Sequence, residues 1–423
     1  MKIQELYNIF LKSTGVCTDT RKLQKDNLFF ALKGPSFNGN EFAEKALKDG
    51  AAYAVIDEEK FKKDERFILV KEVLTALQAL AKYHRQQLDI PIIAITGSNG
   101  KTTTKELTQA VLKTTFKTFA TQGNLNNHIG VPLSLLSIKK EHEIAIIEMG
   151  ANHQGEIAAY CEWVIPKFGL INNIGSAHLE GFGGIEGVIK GKTELYKSLA
   201  KNKGLVFYNE DDALLKEKSK LIKERVSYGT KKTADYTFDL ISESPFVKIA
   251  FHGVEISSNL TGGYNFSNLM VAATIGAHFG VSIENIKKGI ENYFPDNNRS
   301  QILEKDGVKY ILDAYNANPT SMQAALESFA KMEAVKKMII IGDMYELGRE
   351  SEQAHQKILL LAKDLSFDKV LVVGNLFRKH RENFEFTFLN SANEAKEWLR
   401  NQNLKDYTIL VKGSRGVKLE TIL

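Results

Sequence analysis

One segment restricts the architecture more than any other: PIIAITGSNGKTTTKELTQAVLK, residues 91 to 113. It opens on an unbroken apolar run rich in β-branched residues, the pattern of a strand covered on both faces in a parallel sheet. It closes with Leu107, Ala110 and Val111 at helical spacing. Between strand and helix lie Gly97, Ser98, Asn99, Gly100, Lys101, Thr102 and Thr103. A glycine turn at a helix start presents unpaired backbone N–H groups at the positive end of the helix dipole, which suits a phosphate. Lys101 adds a mobile cation for terminal phosphates, expected to be exposed without nucleotide, and Thr102 or Thr103 adds a hydroxyl for Mg²⁺. The common phosphate loop reads G-x-x-x-x-G-K-[ST]; here Gly97 and Gly100 are only three positions apart, so the loop is a shortened form.

At 423 residues the chain is long enough for about two to four domains. Fifty-six basic residues against 51 acidic ones give a net charge of +5, too slight and dispersed to argue for nucleic acid or a membrane surface. No run of about 18 apolar residues predicts a transmembrane helix, and MKIQELYNIFLKS reads as no signal peptide. Cys17 and Cys161 have no metal-binding spacing and read as buried free thiols of a reducing cytosol.

The order of patterns predicts an α/β protein of three domains. Residues 1–88 hold three strand-like runs, NLFFAL, AAYAVID and FILV, then a helix KEVLTALQALAKYHRQQ with Leu74, Leu77, Leu80 and Ala81 at core spacing. Residues 89–297 alternate strands and helices around a mostly parallel sheet, with a more β-rich, polar stretch near 226–260. The Pro/Asn/Asp cluster YFPDNNRS marks the next boundary. In 298–423, KMIIIGD, KVLVVGN and YTILVKGS are buried-type strands separated by helical sequence, the pattern of a doubly wound, Rossmann-like domain whose ligands bind at the strands' carboxyl ends.

Several stretches bear chemistry, each with an ordinary alternative. Glu148 ends the apolar strand of EIAIIEMG and suits Mg²⁺ or simply solvent. His178, in the loop NNIGSAHLEGFGG, suits a metal or phosphate, or a backbone hydrogen bond. Lys192 and Glu194 of KGKTELY read locally as a solvated helix face with an ion pair. Asn265 and Asn268 stand at a helix start, as caps or as readers of a base edge. Asp313, in DAYNANPTSM, suits ribose hydroxyls, while Asn-Pro and Ser321 also make a turn and helix cap. Lys412, Ser414 and Arg415 of VKGSRG form a basic strand-end loop suited to a carboxylate or phosphate.

Taken together and in this order, the stretches resemble the Mur ligase family, ATP-dependent amide-forming enzymes of peptidoglycan precursor synthesis. TGSNGKTTT matches the family's ATP loop, and GNLNNHIGVPLSLL, EMGANHQGEI, NIGSAHLEGFGG, DAYNANPTSM, GDMYELGRES and VKGSRG look like its signatures. The stretch TDTRKLQKDNLFFALKGPSFNGNEF resembles its UDP-binding domain. The resemblance implies an enzyme using ATP and Mg²⁺ to add D-alanyl-D-alanine to UDP-N-acetylmuramoyl-tripeptide through an acyl phosphate, as a cytoplasmic monomer that binds no nucleic acid and inserts in no membrane. It implies that Lys101 and Thr102 serve phosphates and Mg²⁺, and that Thr102, Glu148 and His178 hold metal. Lys192 matches a lysine carbamylated in relatives. Asn265, Arg299 and Asp313 match positions that hold ATP. Thr18, Asp19, Arg21 and Lys33 fall in the uridine diphosphate stretch. Asn124, Asn126 and Asn127 face the muramoyl substrate and the reaction centre, while Asn316, Asn318, Ser321, Lys412 and Arg415 face the dipeptide or acyl phosphate. Folylpolyglutamate synthase shares the loop type but usually carries Gly-Lys-Gly-Ser where this chain has Gly100-Lys101-Thr102-Thr103. The diaminopimelate- or lysine-adding relatives carry an Asp-Asn-Pro-Arg motif that the sequence lacks. A nucleotide-driven switch without catalysis is the rival from another class.

Overall fold

The computed structural model describes residues 2–296 and 298–423, which build three α/β sheets and one short hairpin. Residue 297, inside the Pro/Asn/Asp cluster, lies outside the described residues. The first sheet is parallel, in the order Val16–Cys17, Leu28–Phe30, Tyr53–Ile56, Phe67–Leu69. The three runs legible in the sequence are its last three strands; Val16–Cys17, two residues long, is too short to carry a period. The helix that follows spans Val73–Gln86, and the Glu72 carboxylate caps it by accepting from the N–H groups of Leu74 and Thr75. Its buried face is Val73, Leu77, Leu80, Ala81 and His84, with Leu74 only half-buried.

Nine strands form the central sheet. Ile92–Thr96, third from one edge and buried at every position, has Ile144–Glu148 on one side and Phe168–Ile171 on the other, all parallel. Thr118–Ala120 closes one edge. Toward the other edge the parallel order continues through Leu205–Asn209, Glu224–Gly229 and Tyr236–Ser242, then turns antiparallel in Lys248–Phe251 and Val254–Ser257. The polar β-rich stretch is therefore the solvent-facing end of this sheet, where one-sided alternation replaces continuous apolar runs. The helices Lys101–Leu112 and Asn265–His278 pack on one face of it, and the second is buried from Leu269 to Gly276, so its sequence shows little amphipathic period.

The third sheet runs Gln301–Lys305, Val308–Asp313, Tyr407–Lys412, Lys336–Gly342, Lys369–Val373, Thr387–Leu389, parallel except for its first strand. Separate apolar clusters cover its two faces, as expected of a doubly wound sheet. Both cysteines are buried free thiols.

Candidate active site

Register gathers the site. Ile95 lies opposite Glu148, and Thr96 opposite Ile171. The glycine loop, Glu148 and the segment from Asn172 to His178 thus leave the central sheet side by side at its carboxyl edge, where open parallel sheets bind ligands.

The loop needs both glycines. Gly97 (φ +141°) and Gly100 (φ +78°) occupy backbone that side chains rarely adopt. A Cβ on Gly97 would sit 3.0 Å from that of Asn172, and one on Gly100 would sit 2.6 Å from Asn268 Oδ1. The Ser98 N–H donates to the Asn173 carbonyl and the Asn99 N–H to Asn173 Oδ1, at 3.0 and 2.9 Å. These two bonds anchor the loop, leaving the first N–H groups of helix Lys101–Leu112 for an anion. Lys101 corrects an expectation: it is half-buried, folded back so that Nζ donates to the Gly97 and Ser98 carbonyls at 2.8 and 3.2 Å. Burial lowers its pKa to about 8, with the Arg299 charge pushing the same way and Glu148 opposing.

Glu148 is 1% exposed. Its Oε1 accepts from Thr102 Oγ1 at 3.1 Å and from Asn126 Nδ2 at 2.7 Å, while its Oε2 has no hydrogen-bond partner. A buried carboxylate oxygen with free lone pairs beside a phosphate loop fits a hard divalent cation. Among the described residues no three His, Cys, Asp or Glu side chains gather to cage a metal. His178 faces the same cavity with its backbone left-handed (φ +55°), and its Nδ1 is engaged by Glu346 of the third domain.

Lys192 overturns the local reading of a solvated ion pair. It is 1% exposed, its Nζ donates to the Ala151 carbonyl at 3.1 Å, and it lies 5.2 Å from the Phe182 ring centre. Glu194 instead caps the helix Glu156–Val164, accepting from the N–H groups of Gly155 and Ala158. Burial, reinforced by the Lys101 charge, holds the Lys192 pKa well below the usual lysine range.

The third domain supplies the other wall. Asp313 and Lys412 are paired in register on adjacent strands and joined by a 2.5 Å ion pair. The Arg299 guanidinium lies 3.7 Å from the Tyr315 ring centre, with that of Arg415 at 5.4 Å. Asn318 caps the helix Pro319–Lys331 reciprocally with Ser321, and its Nδ2 reaches across to Asn99 Oδ1 at 2.7 Å. Asn316 accepts from the Ala317 N–H. Asn265 and Asn268 are buried and bonded to each other, and Asn268 Oδ1 accepts from Thr104 Oγ1 at 2.9 Å.

These groups surround one cavity of about 600 Å³. It is lined by Ser98, Asn99, Gly100, Lys101, Thr102 and Thr103, by Asn126, Asn127, Glu148 and His178, and by Asn265, Arg299, Asp313, Asn316, Asn318, Ser321 and Lys412. Gly97, Lys192, Asn124 and Arg415 stand behind or beside this lining. Asn127 also caps the helix that begins at Gly130, through the Ile129 and Gly130 N–H groups. Thr18, Asp19 and Arg21 follow the first strand of the first sheet, Lys33 lies in the short hairpin of Lys33–Gly34 with Phe37–Asn38, and none of the four lines the cavity. Asp19 pairs with Arg21 at 2.7 Å, which lowers its pKa to about 2, and Lys33 pairs with Asp57 and Glu58. Residue patterns did not single out Tyr315, Glu346 or Lys105; only the three-dimensional arrangement brings them to the site.

A glycine phosphate loop, a buried carboxylate beside it and a third domain closing the cavity with charged strand ends define a three-domain, nucleotide-dependent α/β ligase. The chain belongs to the Mur ligase family. Residues 12–85 match the model of the Mur ligase family catalytic domain, 95–276 the Mur ligase middle domain, and 298–415 the Mur ligase glutamate ligase domain. The chain is 36% identical to the UDP-N-acetylmuramoyl-tripeptide–D-alanyl-D-alanine ligase of Bacillus subtilis, covering 97% of this chain and 92% of the relative. A crystal structure of MurF from Acinetobacter baumannii superimposes with a TM-score of 0.86 at 31% identity, covering 100% of this chain and 97% of that one. MurF from Thermotoga maritima in complex with ADP gives 0.83 at 26% identity, covering 98% and 96%.

Proposed function

We propose that the protein is an ATP-dependent ligase that adds D-alanyl-D-alanine to UDP-N-acetylmuramoyl-tripeptide, making the pentapeptide precursor of peptidoglycan. The observation that carries this reading is the 2.7 Å bond from Asn318 to Asn99, which sets the third domain directly against the phosphate loop. Its support is the likeness, over nearly the whole chain, to relatives bearing that activity's name. The division that goes with it is 1–88 for the uridine diphosphate substrate, 89–297 for ATP and 298–423 for the incoming amine.

A terminal carboxylate oxygen of the tripeptide attacks the γ-phosphorus of ATP, and ADP leaves. The dipeptide amine then attacks the acyl carbon, loses a proton, and expels phosphate as the amide forms. The protein's part is positioning and charge stabilisation. The N–H groups at 100–103 and Lys101 hold the phosphates; Lys101 leaves the Gly97 and Ser98 carbonyls to do so. Thr102 and Glu148 would hold a Mg²⁺, with His178 at a second position, and the bound ion would neutralise the gathered oxygens. Asn265, Arg299 and Asp313 seat the nucleotide, and Asn126 fixes Glu148 while facing the acceptor with Asn124 and Asn127. Asn316, Asn318, Ser321, Lys412 and Arg415 face the dipeptide or acyl phosphate, and Thr18, Asp19, Arg21 and Lys33 face the uridine diphosphate. Lys192 acts as a carbamate formed with CO₂; its depressed pKa supplies the neutral amine that this addition requires. The enzyme works in the cytoplasm as a monomer; no helix among the described residues is long and apolar enough to cross a membrane.

ADP release with each acceptor and amine supplied pairwise tests the assignment. D-Alanyl-D-alanine is expected to support turnover far better than any single amino acid. Equal turnover with lysine, diaminopimelate or glutamate overturns it.

A further inference from the structure

Lys105, one helical turn beyond Lys101, is buried to 2% exposure, yet it makes no hydrogen bond to the carboxylate nearest it. Its Nζ donates to the Gly123 carbonyl at 3.3 Å and stands 3.6 Å from Glu148 Oε2 and 3.7 Å from Glu106 Oε1. Glu106 is itself fixed by the Tyr293 hydroxyl at 2.7 Å. Glu148 Oε2 therefore has a buried positive charge close by and no hydrogen-bond donor. A buried charge without a neighbour of opposite sign is strongly disfavoured. A lysine bonded directly to Oε2 would, however, occupy the lone pairs that a cation needs. The arrangement satisfies both conditions: the charge is offset and the oxygen stays open.

We propose that Lys105 is a positioning residue that acts through its charge, standing in for the divalent cation at Glu148 and keeping that site weak until nucleotide phosphates arrive. The repulsion between the Lys105 ammonium and a cation at Oε2 opposes binding of a bare ion. The phosphates of ATP add enough negative charge to overcome it. The metal then enters together with the nucleotide, so a metal-loaded, nucleotide-free site is sparsely populated. The same ammonium holds the Gly123 carbonyl, three residues before Asn126, and so ties the acceptor-facing loop to the carboxylate that Asn126 also contacts.

The inference rests on Glu148 being the metal ligand, and its test involves neither amine nor product, so it can fail while the assigned reaction stands. Free Mn²⁺, standing in for Mg²⁺, is counted by electron paramagnetic resonance as it is titrated into the nucleotide-free full-length protein. Lys105→Met, which removes the charge, and Lys105→Gln, which keeps a donor for Gly123, are each expected to bind Mn²⁺ about tenfold or more tighter than the parent. Lys105→Arg is expected to bind as weakly as the parent. A purely structural role predicts the opposite sign, because a loosened site binds metal less well. Unchanged or weaker Mn²⁺ affinity in a folded Lys105→Met or Lys105→Gln protein overturns the proposal, with folding read from far-ultraviolet circular dichroism. The parent gives a second reading that needs no variant: its Mn²⁺ affinity is expected to rise about 100-fold or more when a non-hydrolysable ATP analogue is present. Equal affinity with and without the analogue overturns the proposal as well. Glu148→Gln is expected to abolish the tight binding of the Lys105 variants; if it does not, the assignment of Glu148 as ligand is what fails.

Discussion

His178 and Glu346 meet across the boundary between the central and third domains, and both do so from left-handed backbone, φ +55° and +62°. Left-handed backbone is uncommon for residues with a Cβ and costs about 1–3 kcal/mol, so it persists where surrounding contacts enforce it. The Glu346 side chain engages imidazole Nδ1, and its backbone carbonyl also accepts from the Glu180 N–H at 3.4 Å. The His178 hydrogen bond, the largest cause, holds the Glu346 carboxyl below its usual range. Removing that carboxylate frees the ring and loosens the domain contact. Glu346→Ala is expected to lower kcat about tenfold or more while moving the KM for ATP little, the mark of lost positioning. Glu346→Gly is expected to lose as much activity and yet unfold at a higher temperature than Glu346→Ala, since glycine relieves the positive φ. Parent-like kcat in both variants would show that the contact has no part in turnover.

Lys101→Ala is expected to lose about 100-fold or more in kcat, the scale of removing a donor aimed at transition-state charge. It is also expected to disturb the empty loop, because the ammonium holds the Gly97 and Ser98 carbonyls. With a pKa near 8 in the free protein, the ammonium loses its proton as pH rises past that value. The kcat/KM for ATP is therefore expected to fall above about pH 8, since that parameter reports free-enzyme groups. A flat profile between pH 7 and 9.5 contradicts the assignment.

Lys192→Ala is expected to abolish most activity while ATP binding, followed by calorimetry, stays near the parent's. Short carboxylates such as acetate are expected to restore part of the rate by occupying the place of the carbamate. Carbon-13 labelled CO₂ is expected to give a carbamate resonance in the parent that is missing from the variant. Its absence from the parent, or undiminished turnover in the variant, rejects the modification.

The buried histidines predict the acid side of stability. Met344 N–H donates to His355 Nε2 at 3.1 Å, so Nδ1 carries the proton and donates to the Ser351 carbonyl at 2.6 Å. His84 is held between the Ile138 carbonyl and the Tyr7 hydroxyl. Burial pushes the pKa of both rings below the usual histidine value. In acid the unfolded chain takes up protons that the folded chain refuses. Stability contributed by these rings is therefore complete above about pH 6.5 and declines below it, by up to about 1.4 kcal/mol per pH unit for each ring. Melting temperatures between pH 7 and 5.5 are expected to fall more steeply for the parent than for His355→Asn. Equal slopes would exclude His355 as a contributor.

The sequence by itself determined the local features. The β-branched run before Gly97, the glycines and the helical spacing after Thr103 fixed strand, loop and helix, because a continuous apolar run and a helix period are properties of neighbouring residues. The same holds for the strand ends at Glu148, Asp313 and Lys412, and the order of motifs along the chain was enough to indicate the family. What the sequence left undecided depended on partners distant along the chain. Lys192 reads as a solvent-facing lysine because its neighbours are polar, yet the packing of helices around Ala151 and Phe182 buries it. Lys101 reads as a free cation, but the loop's curvature brings two carbonyls within its reach. Lys105 and Glu148 are 43 positions apart, and Glu346 and His178 are 168 apart. Charge compensation and domain contact act through space, so only the tertiary structure could decide which of these charges meet.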